Sequence, residues 1–141
     1  RFSKMKTESE IDLWYQELLK DSKSINLGIY LKETKILIGY AGISGISDTN
    51  KSGEYFIFIG EKQFWGKGIG AEVTRKVIKY VFQNTNLHRI MLTVSEPNIS
   101  GIKAYEKAGF IVEGKLRQSC FRDGEFHDKI VMSVLKPEYL L

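Results

Sequence analysis

Glycines at 66, 68 and 70 frame a lysine and an isoleucine, Gly66-Lys67-Gly68-Ile69-Gly70, just ahead of a segment with strong helical periodicity. Glycine leaves no side chain between the backbone and a ligand. The first turn of a helix carries amide donors without intrahelical acceptors, and the helix dipole favours negative charge there. Lys67 adds a cation, so the chemistry offered is a cradle for phosphate oxygens. A P-loop does not fit, because five residues rather than four separate Gly60 from Gly66 and a glycine follows the lysine. The dinucleotide fingerprint does not fit either, since the spacing is G-x-G-x-G rather than G-x-G-x-x-G. A third phosphate pattern, Q/R-x-x-G-x-G/A, is matched at its end by Gly68-Ile69-Gly70. On the loop alone, an ordinary glycine-rich turn before a helix stays open.

The elements that must hold this loop can be read from periodicity. Thr7-Glu8-Ser9-Glu10 fits a capping box, and Ile11, Trp14, Tyr15, Leu18 and Leu19 follow at helical spacing. These predict a helix to about Lys20. Ile25–Lys32 and Ile36–Ile46, joined by Glu33-Thr34-Lys35, read as a hairpin, and Glu54–Ile59 as a third strand. Gly60–Lys67 is a loop. Val73, Val77, Ile78, Val81 and Phe82 share one face of a helix over Ile69–Gln83. Arg89–Val94 reads as a strand and Ser100–Ala108 as a short helix with Gly109 as its C-terminal cap. Two last strands, Phe110–Phe121 and Glu125–Leu135, turn at Asp123-Gly124. Hairpins at both ends with a β-α-β-α-β centre imply an α/β (α+β) fold: a mixed, mostly antiparallel sheet flanked by helices.

The 141 residues suit one domain, 1–141, with 43% hydrophobic and 27% charged residues. Ile36–Ile46, the most apolar stretch, is far shorter than the ~20 residues that span a bilayer, so no membrane partner is expected. The net charge of +4 is mild and spread along the chain. It suits a small polyanion better than a nucleic acid, which would want clustered cations with exposed aromatics. Cys120 is the only cysteine, and His88 and His127 are the only histidines. No intrachain disulfide and no Cys/His zinc site can be assembled, so a cytoplasmic, metal-free protein is expected. A homodimer is left open.

Downstream, Asn98-Ile99-Ser100-Gly101-Ile102-Lys103-Ala104-Tyr105-Glu106-Lys107-Ala108-Gly109-Phe110 closely resembles the pattern N-x-x-A-x-x-x-Y-x-K-x-G-F of the GNAT N-acetyltransferases. It stands one strand and one helix after the glycine loop, which resembles the pyrophosphate loop of that family. The resemblance covers about Ile25 to Leu135. Glu113–Arg117 and Asp123–Asp128 resemble the branch that holds acetyltransferases of ribosomal-protein N-termini, polyamines and amino sugars. Two positions depart from the pattern: Trp65 stands at the Gln/Arg position, with Gln63 two residues early, and Gly101 replaces the usual alanine. By the resemblance, the family's first strand and first helix would lie before Arg1 or are absent.

The resemblance implies acetyl-CoA as co-substrate, no metal, and acetyl transfer to a primary amine of a small molecule or protein N-terminus by direct attack. It assigns the cofactor to Gly66, Lys67, Gly68, Ile69, Gly70 and Ala71 at the pyrophosphate. Backbone groups near Phe58 and Ile59, with Asn98, go to the pantetheine arm. Tyr105 is implied as the acid for the departing thiolate; its hydroxyl, pKa ~10, is close to an alkyl thiol. Glu54 is implied as a base, through water. Asp128 is a weaker candidate, expected instead to pair with Arg117. Lys103 and Lys107 are expected mainly as surface lysines. A CoA-binding sensor or scaffold without catalysis is the rival reading, disfavoured because Tyr105 is present.

Overall fold

Val73, Val77, Ile78, Val81 and Phe82 are each at most 3% exposed and form the inward face of helix α1 (Ile69–Asn84). Burying side chains of this size stabilises by about 1.5–3 kcal/mol each, which is what fixes α1 to the sheet beneath it. The computed structural model describes residues 2–5, 11–16, 23–60 and 68–139. Within these, eight strands form one sheet: β1 (Phe2–Met5), β2 (Ile11–Gln16), β3 (Ile25–Leu31), β4 (Leu37–Ser47), β5 (Ser52–Ile59), β6 (Arg89–Ser95), β7 (Ile111–Arg122) and β8 (Glu125–Leu135). Their order is β1-β2-β3-β4-β5-β6-β8-β7, with every neighbouring pair antiparallel except β5 and β6. Helix α2 (Ile99–Lys107) connects β6 to β7, and a turn of helix, α3 (Lys136–Tyr139), follows β8.

The expected N-terminal helix is corrected. Ile11–Gln16 is a strand paired to β3, with Leu13 opposite Ile29 and Tyr15 opposite Leu27. Ile11, Leu13 and Tyr15 also alternate with Asp12, Trp14 and Gln16, so the segment carries a period of two beside its helical spacing. Pairing supplies partners for a β3 edge that would otherwise be bare. The capping residues Thr7–Glu10 lie outside the described residues. Two strands, rather than none, thus precede the hairpin that the sequence placed first.

The core lies between one face of the sheet and the helices. Leu27, Ile29, Ala41, Ile43, Tyr55, Ile90, Leu92, Met132 and Val134 alternate along their strands toward α1, and all are at most 3% exposed. Tyr139 of α3 packs on Phe82 of α1 at a ring separation of 5.6 Å, and Ile102 and Tyr105 of α2 pack against the same core, so the three helices of the described residues lie on this side. On the opposite side Tyr40 and Phe58 are cross-strand partners and are 43% and 63% exposed. No helix of the described residues is long and apolar enough to cross a membrane.

The final hairpin closes as its sequence implies. Arg122 pairs with Glu125 across Asp123-Gly124, whose φ values of 55° and 77° suit a primed two-residue turn. Asp128 is corrected: its carboxylate accepts from the Gln118 backbone amide at 2.8 Å, and no ion pair with Arg117 is found among the described residues. Gln118 has φ 47° within the bulge between Leu116 and Cys120. An amide turned out of the ladder needs another acceptor, and Asp128 provides it.

Arg89 and Glu113 meet across β8 in a two-pronged pair of 2.7 and 2.6 Å. The guanidinium holds the Glu113 carboxyl down to about 2. A depressed carboxylate contributes stability above its unfolded value, lost as pH falls through the folded one. Glu113→Gln is therefore expected to lower the unfolding free energy read from urea titration at pH 6, by less than ~1 kcal/mol for so exposed a pair. The difference from wild type should shrink between about pH 4.5 and 2. A difference constant over that window would show that the pair is not its source.

Candidate active site

The turn into α1 is built by Gly68, which occupies the N-cap position at φ 77°, ψ 1° with no side-chain cap. That left-handed conformation costs glycine little and other residues more. Glu72 donates to the Gly68 carbonyl at 3.1 Å, the first intrahelical bond. The amides of Ile69, Gly70 and Ala71 precede it and have no intrahelical acceptor. A β-carbon added at Gly68 or Gly70 would meet no atom of the described residues within 4 Å. Packing therefore does not require glycine at Gly70, and the space before these amides is left for something else.

Beside this turn the sheet parts. β5 and β6 pair only at Ser52–Arg89, Gly53–Ile90 and Glu54–Met91, although both strands continue. Beyond Glu54 the two diverge, so from Tyr55 to Phe58 the edge facing β6 has no strand pairing. A peptide-like arm could add there as an extra strand, with the β5 backbone as its partner.

Helix α2 stands over the opening. Asn98 caps its N-terminus, its Oδ1 accepting from the Gly101 amide at 3.0 Å and from the Ser100 hydroxyl at 3.3 Å. A β-carbon at Gly101 would stand 2.5 Å from Asn98 Nδ2, so an alanine there would need the Asn98 side chain to shift. The helix ends in a Schellman motif. Phe110 donates to the Tyr105 carbonyl and Gly109 to that of Glu106, both at 3.0 Å, with Gly109 at φ 104°. The motif also seats Phe110, 3% exposed, against the Tyr105 ring at 6.0 Å. A second edge-on contact, 6.3 Å, joins Tyr105 to Tyr55 of β5. Tyr105 is thus held on two sides. Burial pushes its phenol above the ordinary value, so it stays a proton donor through neutral and mildly alkaline pH.

These pieces enclose a cleft of about 580 Å³. Ile57, Phe58 and Ile59 form one wall, Gly68, Gly70 and Ala71 the second, and α2 the third with Asn98, Ala104 and Tyr105. The sequence-expected Phe58, Ile59, Gly68, Gly70, Ala71, Asn98 and Tyr105 are therefore brought together. Lys103 and Lys107, expected as surface residues, also line it. Ile69 is the first residue of α1, and its side chain packs against the core instead. Gly66, Lys67 and Trp65 lie outside the described residues. Glu54 is exposed and is not among the lining residues, but it forms the last β5–β6 pair, where the strands part. Ile57, Ser100, Gly101 and Ala104 were not picked out as lining the cleft. Helical spacing from Tyr105 could have found Gly101, four residues earlier on the same face.

The cleft fits the co-substrate expected from the resemblance. It has open amides and free space for a pyrophosphate, an unpaired strand edge for an amide-bearing arm, and a half-buried tyrosine lining the same space. Comparison with known proteins agrees. Residues 1–111 match the family model described as an acetyltransferase (GNAT) domain. A probable N-acetyltransferase, YjcK of Bacillus subtilis, is 32% identical over 124 residues, 88% of this chain and 68% of that protein. Spermidine N(1)-acetyltransferase of Vibrio cholerae is 33% identical over 106 residues, 75% of this chain and 61% of that protein. The crystal structure of the Vibrio cholerae spermidine N-acetyltransferase in complex with CoA and spermine superposes with a TM-score of 0.80 at 30% identity, covering 86% of this chain and 71% of that one. The chain belongs to the GNAT acetyltransferase family and is an acetyl-CoA-dependent N-acetyltransferase.

Proposed function

We propose that the acceptor is a primary amine of a small, flexible polycation of the polyamine type, acetylated by direct attack with Tyr105 as proton donor. The observation that carries the catalytic part is the shared cleft: the Tyr105 side chain and the glycine turn of α1 open into the same space. The polyamine acceptor is supported by likeness to proteins named as spermidine N-acetyltransferases, one of them solved with spermine. A cytoplasmic setting goes with this reading, since Cys120 is a free thiol.

Bound acetyl-CoA supplies the activated acetyl thioester. Among the residues of this chain, Ile69, Gly70 and Ala71 offer amides to the pyrophosphate. The β5 backbone between Tyr55 and Phe58 pairs with the arm, and one of its amides polarises the thioester carbonyl. Asn98 keeps its Nδ2 donor for the same arm once Oδ1 is committed to Gly101. Glu54, at the point where β5 and β6 part, takes the proton of the ammonium acceptor through water. The nitrogen bonds to the acetyl carbon as the carbon–sulfur bond breaks, the sulfur takes its proton from Tyr105, and the proton that the nitrogen then sheds to become an amide restores the Tyr105 hydroxyl through water.

Release of CoA measured against a panel of amines tests this reading. Spermidine and spermine should give the highest kcat/KM. Turnover only with peptides bearing a free N-terminus would move the acceptor to protein. No turnover with any amine, despite tight acetyl-CoA binding, would favour the sensor reading.

The role of Glu54 has its own signature. Glu54→Gln should lower turnover most at low pH, where the amine is protonated and a base matters. The loss should shrink as the pH nears the amine pKa, ~10. A loss that does not vary with pH would assign Glu54 to binding or folding.

A further inference from the structure

Tyr55 is nearly fully buried, 3% exposed, yet carries a hydroxyl into the core. A buried hydroxyl is costly unless it is bonded. Its partner is the Thr74 hydroxyl of α1 at 2.9 Å, and Thr74 in turn donates to the Gly70 carbonyl at 2.6 Å. Thr74 has one hydroxyl proton and spends it on Gly70, so Tyr55 must be the donor to Thr74. The direction of the chain is therefore fixed: Tyr55 to Thr74 to Gly70.

The end of that chain matters because of peptide planarity. The Gly70 carbonyl and the Ala71 amide belong to one rigid unit. Holding the carbonyl oxygen from inside the protein sets the direction of the Ala71 N–H, one of the three open donors at the mouth of α1. Gly70 lies within α1, where helix geometry already pairs its carbonyl with the Thr74 backbone amide, so the Thr74 hydroxyl adds a second restraint to a carbonyl in the first turn, two residues after the left-handed Gly68. At its other end the Tyr55 ring meets the Tyr105 ring edge-on at 6.3 Å and Phe110 at 6.1 Å. One side chain thus reaches both halves of the site, Tyr105 by direct contact and the glycine turn through Thr74.

We propose that Tyr55 is a positioning residue with two separable outputs: its hydroxyl orients the phosphate-binding turn of α1 through Thr74, and its ring orients Tyr105. This rests on the assignment of the cleft to acetyl-CoA. Nothing about Tyr55 in the sequence singles it out, because its partner is nineteen residues away.

The two outputs predict different kinetic phenotypes. Tyr55→Phe keeps the ring and removes the donor, so acetyl-CoA affinity by calorimetry should weaken about threefold to fivefold while kcat holds near wild type. Tyr55→Leu removes the ring as well, and kcat should fall about tenfold further. A buried residue with only a structural role would lower thermal stability in both variants without splitting affinity from kcat. The relay itself is tested in a Thr74→Val background, where Tyr55→Phe should no longer change the affinity, since the link to Gly70 is already cut. An equal loss in both backgrounds, or unchanged affinity in a folded Tyr55→Phe protein, would overturn the proposal. Gly70→Val serves as the control: if it leaves the affinity unchanged, the cleft assignment is at fault, and if it abolishes binding while Tyr55→Phe does nothing, only the role of Tyr55 falls.

Discussion

Tyr105→Phe should lower turnover by about 10²-fold or more while leaving acetyl-CoA affinity and thermal stability nearly unchanged. The substitution removes one oxygen and keeps the ring, so the edge-on contacts with Tyr55 and Phe110 persist. The hydroxyl makes no hydrogen bond within the described residues, and its loss strands no partner. What disappears is the proton for the leaving sulfur, and a positioned donor is worth about 10²–10⁴ in rate. Burial raises the phenol above its ordinary value, but a thiolate released into the same cleft is made more basic by the same loss of water. Donor and acceptor therefore stay matched. The alkaline limb of the kcat profile should accordingly lie above pH ~10, the ordinary tyrosine value, and be absent from the variant. Acetylation by Tyr105→Phe at the wild-type rate would show that water or the acceptor supplies the proton.

The second large effect concerns the turn of α1. A side chain at Gly68 or Gly70 would project into space the protein leaves open, but the two positions are not equivalent tests. Gly68 sits at φ 77°, where a β-branched residue is strained, so Gly68→Val confuses a folding defect with a binding one. Gly70 is helical, and valine is no worse than glycine in a helix interior. Gly70→Val is expected to fold as wild type and to bind acetyl-CoA at least tenfold more weakly, about 1.4 kcal/mol. Calorimetry decides it. Unchanged affinity would remove the pyrophosphate from this turn.

Both results bear on how far the sequence could be read. The two site helices were legible because their signals are local: the apolar stripe from Val73 to Phe82, the Asn98 cap, and Gly109 followed by Phe110. The hairpin turn at Asp123-Gly124 was legible for the same reason. Local signals failed at Ile11–Gln16, which satisfies a helical and a strand period at once; an open strand edge decided between them. They also failed at Asp128, whose partner depends on a bulge that periodicity does not show. Within the site, Tyr105 and the glycines could be found from spacing, whereas Tyr55 and Thr74 could not. Their bond exists only once β5 and α1 are packed together. The parting of β5 and β6 was equally hidden, since it is a matter of register after the third pair.

That parting has a mechanical consequence. Strands β1 to β5 on one side and β6, β8 and β7 on the other share only three residue pairs along the sheet, those from Ser52–Arg89 to Glu54–Met91. A ligand lying along the open edge stitches two half-sheets into one. Between Tyr55 and Phe58 every second amide faces the open edge while the others stay paired to β4; those facing the edge should exchange with deuterium readily in the empty protein and slowly when acetyl-CoA is bound. The empty protein should also yield first along this seam, opening as two leaves rather than melting as a block. Saturating co-substrate should close the seam and raise the energy of that opening by RT ln(1 + [L]/Kd), so the cell's supply of acetyl-CoA would set how firmly this enzyme is folded.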